Sequence, residues 1–145
     1  ENAAQIRLVA YQLEMLADSI AARAEMKAED TIVALRHRPP ETRLLDELRQ
    51  AAEGTAIFLP DIYLSGQYNN GQARLPGLGP IYLPPQADGR GGWLPGDEGI
   101  SGLYFVKGQA VHISPGLGVS SYYPIPLRLF NRPAMTLIGL TSKLR

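Results

Sequence analysis

All 15 glycines of this 145-residue chain, and ten of its 12 prolines, lie at or beyond Gly54. Ten of the 14 acidic residues lie before it. Glycine and proline at that density break helices and supply turns. The first third is therefore expected to be helical, and the remainder to be strands joined by turns and long loops. The length suits one compact domain. An apolar content of 45% and a charged content of 19% describe a chain that folds. Lys+Arg and Asp+Glu balance at 14 each, which argues against a polyanion-binding surface. With no Cys, thiolate zinc sites, disulfides and cysteine nucleophiles are excluded. No run of 18 apolar residues is present to span a membrane. The chain opens at Glu1 without Met and without an apolar leader, and reads as a piece of something longer.

Residues 5–29 carry two patterns. Ile6, Leu8 and Ala10 alternate as on a half-buried strand, whereas Leu13, Leu16, Ile20 and Ala24 recur at helical spacing. The preferred reading is a strand at 5–11 followed by a helix at 12–28, with one long helix as the competitor. Thr31–Leu35 reads as a short buried strand. Pro39 and Pro40 introduce a helix over Glu41–Glu53, with an apolar stripe of Leu44, Leu45, Leu48, Ala51 and Ala52 and Gly54 as terminator. A strand at Ile62–Ser65 completes an α/β pattern over 5–66. In the remainder, 67–145, Gly71–Gly99 reads as an ordered loop with little strand beyond Ile81-Tyr82-Leu83. Leu103–Val106 and Ala110–Ser114 flank Lys107-Gly108-Gln109 as an antiparallel hairpin, and Met135–Leu140 reads as a final strand. Antiparallel strands after an α/β start predict a layered α/β sandwich.

Few polar residues offer chemistry. His37 follows a strand, where a metal or a phosphate is well served, though an ordinary loop histidine has the same signature. Its neighbours Arg36 and Arg38 suit an anionic ligand or simple solvation equally. His112, between Val111 and Ile113, alternates onto the opposite face and is expected to meet solvent. The segment Leu64-Ser65-Gly66-Gln67-Tyr68-Asn69-Asn70-Gly71-Gln72 leaves a strand with amides, a tyrosine and glycines. It is either a tight turn or a set of ligand groups at a strand's carboxyl end. Gly-x-Ser-x-Gly is absent, and Gly116-Leu117-Gly118 lacks the rest of a dinucleotide loop. After Gly54 the acidic residues are Asp61, Asp88, Asp97 and Glu98, too scattered for a carboxylate cluster; Asp61, opening a strand, has a structural place. Trp93 and the pair Tyr122-Tyr123 are open between stacking a ligand and packing in the core.

The stretch Asp61–Gln72, followed by Arg74-Leu75-Pro76-Gly77-Leu78-Gly79-Pro80-Ile81-Tyr82-Leu83-Pro84, resembles the calcineurin-like metallophosphoesterases. The subgroup is that of bacterial phosphohydrolases with a Gly-His-Thr-His-Gly-Gly-Gln signature. Ser101-Gly102-Leu103-Tyr104, Ser114-Pro115-Gly116-Leu117-Gly118 and Leu127-Arg128-Leu129-Phe130 resemble its continuation, and Leu35-Arg36-His37-Arg38-Pro39 its His-x-Pro motif. The likeness runs from about Ile6 and covers the second half of that family's domain.

The resemblance implies a hydrolase built as two packed mixed sheets with helices outside. Its two divalent cations (Mn, Fe, Zn or Mg), about 3.5–4 Å apart, clamp a phosphoryl group and activate water. Position by position, His37 matches the family's lone His ligand, while Gln67 and Asn69 stand where the paired signature histidines would be. Tyr68 replaces Thr and Asn70 replaces Gly; Gly66, Gly71 and Gln72 are kept, as the substrate loop. Amide oxygens are harder, weaker donors than imidazole. The family's upstream motifs, Asp-x-His, Gly-Asp-x-x-Asp and Gly-Asn-His-Asp, have no counterpart in this sequence. The resemblance thus implies the C-terminal portion of a phosphoesterase, inactive as an isolated chain, with no catalytic residue assignable. Its partner is a missing N-terminal half of the domain or a homodimer mate, its ligand a phosphate-containing small molecule, its location cytoplasmic or membrane-peripheral. The alternative is a pseudoenzyme serving as scaffold or binding module.

Overall fold

The computed structural model describes residues 2–55, 58–86 and 89–141; Asp88 lies outside them. The chain divides into two compact units, Glu1–Thr31 and Ile32–Arg145, each taken by itself below.

The first unit is one continuous helix, α1 (Asn2–Ala24). This corrects the expected strand at 5–11 and the helix end at 28. Ile6, Val9, Leu13, Leu16 and Ile20 keep the 3–4 spacing across the whole segment, and the run is rich in Ala, Leu, Gln and Arg without a Gly or Pro. A three-residue alternation does not compete with that. Arg23 sits in the last turn, where a cation meets the helix dipole favourably.

The second unit is α/β. In chain order it contains β1 (Val33–Arg36), α2 (Thr42–Ala52), β2 (Ile62–Ser65), a 3-10 turn (Asn69–Gly71), β3 (Arg74–Leu75), β4 (Gly79–Pro80), β5 (Tyr82–Leu83), β6 (Gly92–Trp93), β7 (Gly102–Val106) and β8 (Gln109–Ile113). One four-stranded sheet has the order β1-β2-β8-β7. β1, β2 and β8 run parallel, and β7 pairs antiparallel with β8. The hairpin turn carries positive φ at Lys107 (49°) and Gly108 (79°), the condition of a type I′ turn. The expected loop over 71–99 is tied by two short ribbons, β3–β4 and β5–β6. Met135–Leu140 forms no strand, a correction: its residues have β-propensity but no neighbouring strand to supply a ladder.

The parallel strands are fastened at their amino ends. Asp61 Oδ2 accepts from Ile32 N at 2.7 Å while Asp61 N donates to Ile32 O at 2.8 Å. Gln109 Nε2 donates to Pro60 O at 2.7 Å and to Asp61 O at 3.1 Å. At the carboxyl ends the ladder runs one step further: Gly66 N donates to His37 O at 3.3 Å and Ser114 N to Ser65 O at 2.8 Å. α2 is tethered to the hairpin turn by an ion pair of Asp46 with Lys107 at 2.5 Å and by Arg49 donating to Lys107 O.

Strand alternation gives the sheet two unequal faces. One carries Tyr63, Val111 and Ile113, buried with Leu45 of α2 and with Tyr68, Leu83 and Ile100 from the following loops. Each such side chain contributes about 1.5–3 kcal/mol of burial. The other carries Val33, Leu35, Ile62, Leu64, Leu103, Phe105, Ala110 and His112. Leu35, Leu103 and Phe105 are 78%, 58% and 67% exposed. His112 is 7% exposed, between its lateral neighbours Leu64 and Leu103, which corrects the expectation that it meets solvent. On a central strand the neighbouring side chains shield a residue from both flanks.

A large apolar patch on a folded unit binds apolar probes and other protein surfaces. Replacing Leu103 and Phe105 together by Thr is expected to lower binding of a hydrophobic fluorescent dye severalfold. Thermal unfolding should move by no more than about 0.5 kcal/mol per site, since neither side chain is packed in the core. Unchanged dye binding would mean that this face is covered in solution.

Candidate functional site

The three parallel strands deliver their following loops to one edge of the sheet. His37 and Arg38 follow β1, Gln67 and Asn69 follow β2, and Ser120, Tyr122 and Tyr123 lie on the long segment after β8. With Pro84 they line a cleft of about 740 Å³. Ligands of α/β sheets settle in this place, because the loops that leave the strand ends are free to vary while the sheet is fixed.

The loop after β2 is held in an uncommon conformation. Gln67, Asn69, Asn70 and Gln72 have φ of 71°, 47°, 53° and 46°. Left-handed backbone at non-glycine residues is held only where surroundings over-determine it, and here they do. Gln72, fully buried, donates through Nε2 to Ser120 O (3.1 Å) and Ile125 O (2.8 Å) and accepts from Ser120 N at 2.6 Å. Asn131 Nδ2 donates to Asn69 O (2.8 Å) and Gln72 O (3.0 Å), and its Oδ1 accepts from Asn70 Nδ2 at 3.0 Å. Asn70 Oδ1 in turn accepts from Arg74 and Ser101. Gly71 (φ 73°) admits no side chain, since a Cβ there would stand 2.2 Å from Cβ of Pro80.

Of the residues singled out in the sequence, His37, Gln67 and Asn69 meet in the cleft. Gly66, Tyr68, Asn70, Gly71 and Gln72 do not line it. Tyr68 and Gln72 are buried, and Asn70 and Gln72 spend their amides on the loop's own framework. Asn131, which grips the loop, and Ser120, which lines the cleft, carry no motif or spacing that marks them in the sequence. Trp93 sits outside the cleft, 64% exposed and edge-on to Tyr82 at 5.2 Å.

Tyr122 and Tyr123 part company. Tyr122 is 89% exposed at the cleft, whereas Tyr123 is buried and donates its hydroxyl to Tyr68 O at 2.6 Å. Burial pushes the Tyr123 hydroxyl well above the ordinary tyrosine range, with Tyr68 and Tyr82 adding to the shift and Arg128 opposing it. Arg128 donates to the carbonyls of Pro115, Gly116 and Gly118 at 2.8–2.9 Å, fixing the turn against which Asn69 lies. A Cβ on Gly116 would stand 3.2 Å from Asn69 Oδ1.

Among the described residues, no group of three or more His, Cys, Asp or Glu converges as a metal cage would. The cleft contributes one imidazole and two amides, with no carboxylate among its lining residues. Gln67 Oε1, the atom a cation would require, is shielded from solvent and accepts no hydrogen bond from any described residue. This donor set does not fit a two-cation centre.

Two consequences are measurable. Gln72→Ala removes three hydrogen bonds from a buried framework and should cost about 2–4 kcal/mol in denaturant unfolding. Tyr123 stays protonated in the folded chain while the unfolded chain ionises it near pH 10, so this group's contribution is constant below that pH and is lost as pH rises through the folded value. Stability should decline above about pH 10, and Tyr123→Phe should flatten that decline.

No family model matches the sequence, and no solved structure matches it. An uncharacterized metallophosphoesterase of Bacillus subtilis (strain 168), YkuE, is 30% identical over 92 residues. Those residues are 63% of this chain and 28% of that protein, so the chain spans less than a third of the relative's length. Over that part of its length, the chain is similar to a metallophosphoesterase.

Proposed function

We propose that the chain is the C-terminal, cleft-bearing portion of a metal-dependent phosphoesterase-like protein, and that it does not hydrolyse phosphoesters by itself. The observation that carries this reading is the convergence of His37, Gln67 and Asn69 in one cleft at the carboxyl ends of three parallel strands. The first is 30 and 32 positions from the other two in sequence, and the family resemblance gives all three as ligand positions. The likeness to YkuE supports the phosphoesterase class. The exposed apolar face of Leu35, Leu103 and Phe105 supports a second layer, as in a sandwich, supplied by a missing N-terminal half or by a homodimer mate. The cation ligands that the cleft lacks belong to that missing part. Cations held by that part would supply the polarisation of a phosphoryl group; this chain's residues would shape the cleft and contact the phosphoryl oxygens. The substitution of both signature histidines by amides favours a second reading, a binding module without catalysis.

Restoring the imidazoles tests the ligand positions. The double variant Gln67→His, Asn69→His is expected to bind Mn²⁺ or Zn²⁺ at least about tenfold tighter than the unaltered chain, since imidazole is the better donor. Titration calorimetry reads the gain, and its absence would show that these positions do not converge on a cation. The unaltered chain loaded with Mn²⁺ should leave bis(p-nitrophenyl) phosphate intact; Mn²⁺-dependent turnover abolished by Asn69→Ala would overturn both readings.

A further inference from the structure

We infer that the cleft binds a phosphate oxyanion directly, without a bridging cation. The inference rests on the phosphoryl ligand of the proposed function and departs from its metal chemistry. The lining residues offer hydrogen-bond donors and positive charge where a cation site needs negative charge. Arg38 brings a guanidinium that forms no ion pair among the described residues, and His37 an imidazole beside it. Gln67 keeps its oxygen shielded, leaving its Nε2 as the end of the amide that a ligand can reach. Ser120 Oγ accepts from Tyr122 N at 3.3 Å, which leaves the hydroxyl proton free to donate. No lining residue carries a carboxylate to repel an anion.

The backbone behind Ser120 and Asn69 is held by hydrogen bonds, which limits the ordering that binding would require there. Ser120 is held through its backbone N–H and C=O by Gln72, and Asn69 through its carbonyl by Asn131. A guanidinium with fixed neutral donors is the usual equipment for a tetrahedral oxyanion. Divalent cations demand the opposite, oxygen or nitrogen lone pairs turned inward with net negative charge. The two residues that stand where the resembled metal site has histidines, Gln67 and Asn69, line the cleft and carry amide N–H donors. The same two residues thus offer a cation little and an oxyanion more.

The test is a titration of the full chain with inorganic phosphate, followed by ¹H–¹⁵N spectra with side-chain amides resolved, once in EDTA and once in Mn²⁺. Saturable shifts at the Gln67 and Asn69 amides are expected in EDTA, with affinity unchanged within about twofold by Mn²⁺. Arg38→Met should weaken binding about tenfold or more, the loss of one charge-assisted contact. Arg36→Met, one residue outside the cleft, should change it less than about twofold. Equal losses for the two variants would mean diffuse charge attraction, and would overturn the inference. Saturation only in Mn²⁺ would overturn it while leaving the phosphoryl ligand of the proposed function intact. No saturable shift in either condition would sink both.

Discussion

Because β8 runs parallel to β2, and does not merely turn back along β7, the segment that follows it leaves the sheet at the same edge as the loops after β1 and β2. Everything in the cleft follows from that pairing. The Asp61 carboxylate and the Gln109 amide fix the register at the amino ends, with hydrogen bonds from Ile32 and to Pro60. A one-residue slip of β8 would turn Val111 and Ile113 out of the core and His112 into it. It would also carry Ser120, Tyr122 and Tyr123 away from His37. The register that buries the core is thus the register that assembles the cleft.

The loop after β2 divides its polar side chains between two tasks. Asn70 and Gln72 face inward, where every amide has a partner and an unmet one would cost about 1–3 kcal/mol. Gln67 and Asn69 line the cleft, and the Gln67 oxygen is left unpartnered. Positive φ at four non-glycine residues is the backbone form of this division. It is tolerated because Asn131 and Ser120 reach in from distant sequence to grip the loop. Stability is drawn from one set of amides and spare bonding capacity is retained in the other.

Much of the sheet was legible from the chain. β2, α2 and the β7–β8 hairpin follow from short patterns bounded by Pro40, Gly54 and Lys107-Gly108. What escaped was non-local. Alternation in β8 identifies two faces but not that β2 and β7 flank it, so the pattern alone points His112 to solvent although its neighbours shield it. Met135–Leu140 has a strand's composition without a strand's neighbour. In α1 the competing alternation covered three residues, too few against five at helical spacing. Of the cleft's lining, His37, Gln67 and Asn69 stand out in the sequence through likeness to a motif, and Arg38 through its place beside His37. Ser120 and Asn131 are small polar residues in turns, and only the folded chain reveals that one lines the cleft and the other fastens it.

The sheet's open face and the cleft are opposite in chemistry. A face with Val33, Leu35, Ile62, Leu64, Leu103 and Phe105 around the buried His112 carries no Lys, Arg, Asp or Glu, so water is a poor neighbour for it and a charged surface no better. An apolar surface is the neighbour that suits it. The cleft has the reverse property. Arg38 has no counter-charge among the described residues, and cations brought in by a second layer would meet repulsion from it unless an anion stood between. A phosphoryl group is such an anion, and it is attracted to Arg38 whether or not cations are present. On the proposed reading an anion is therefore the first ligand that the donors of this chain attract.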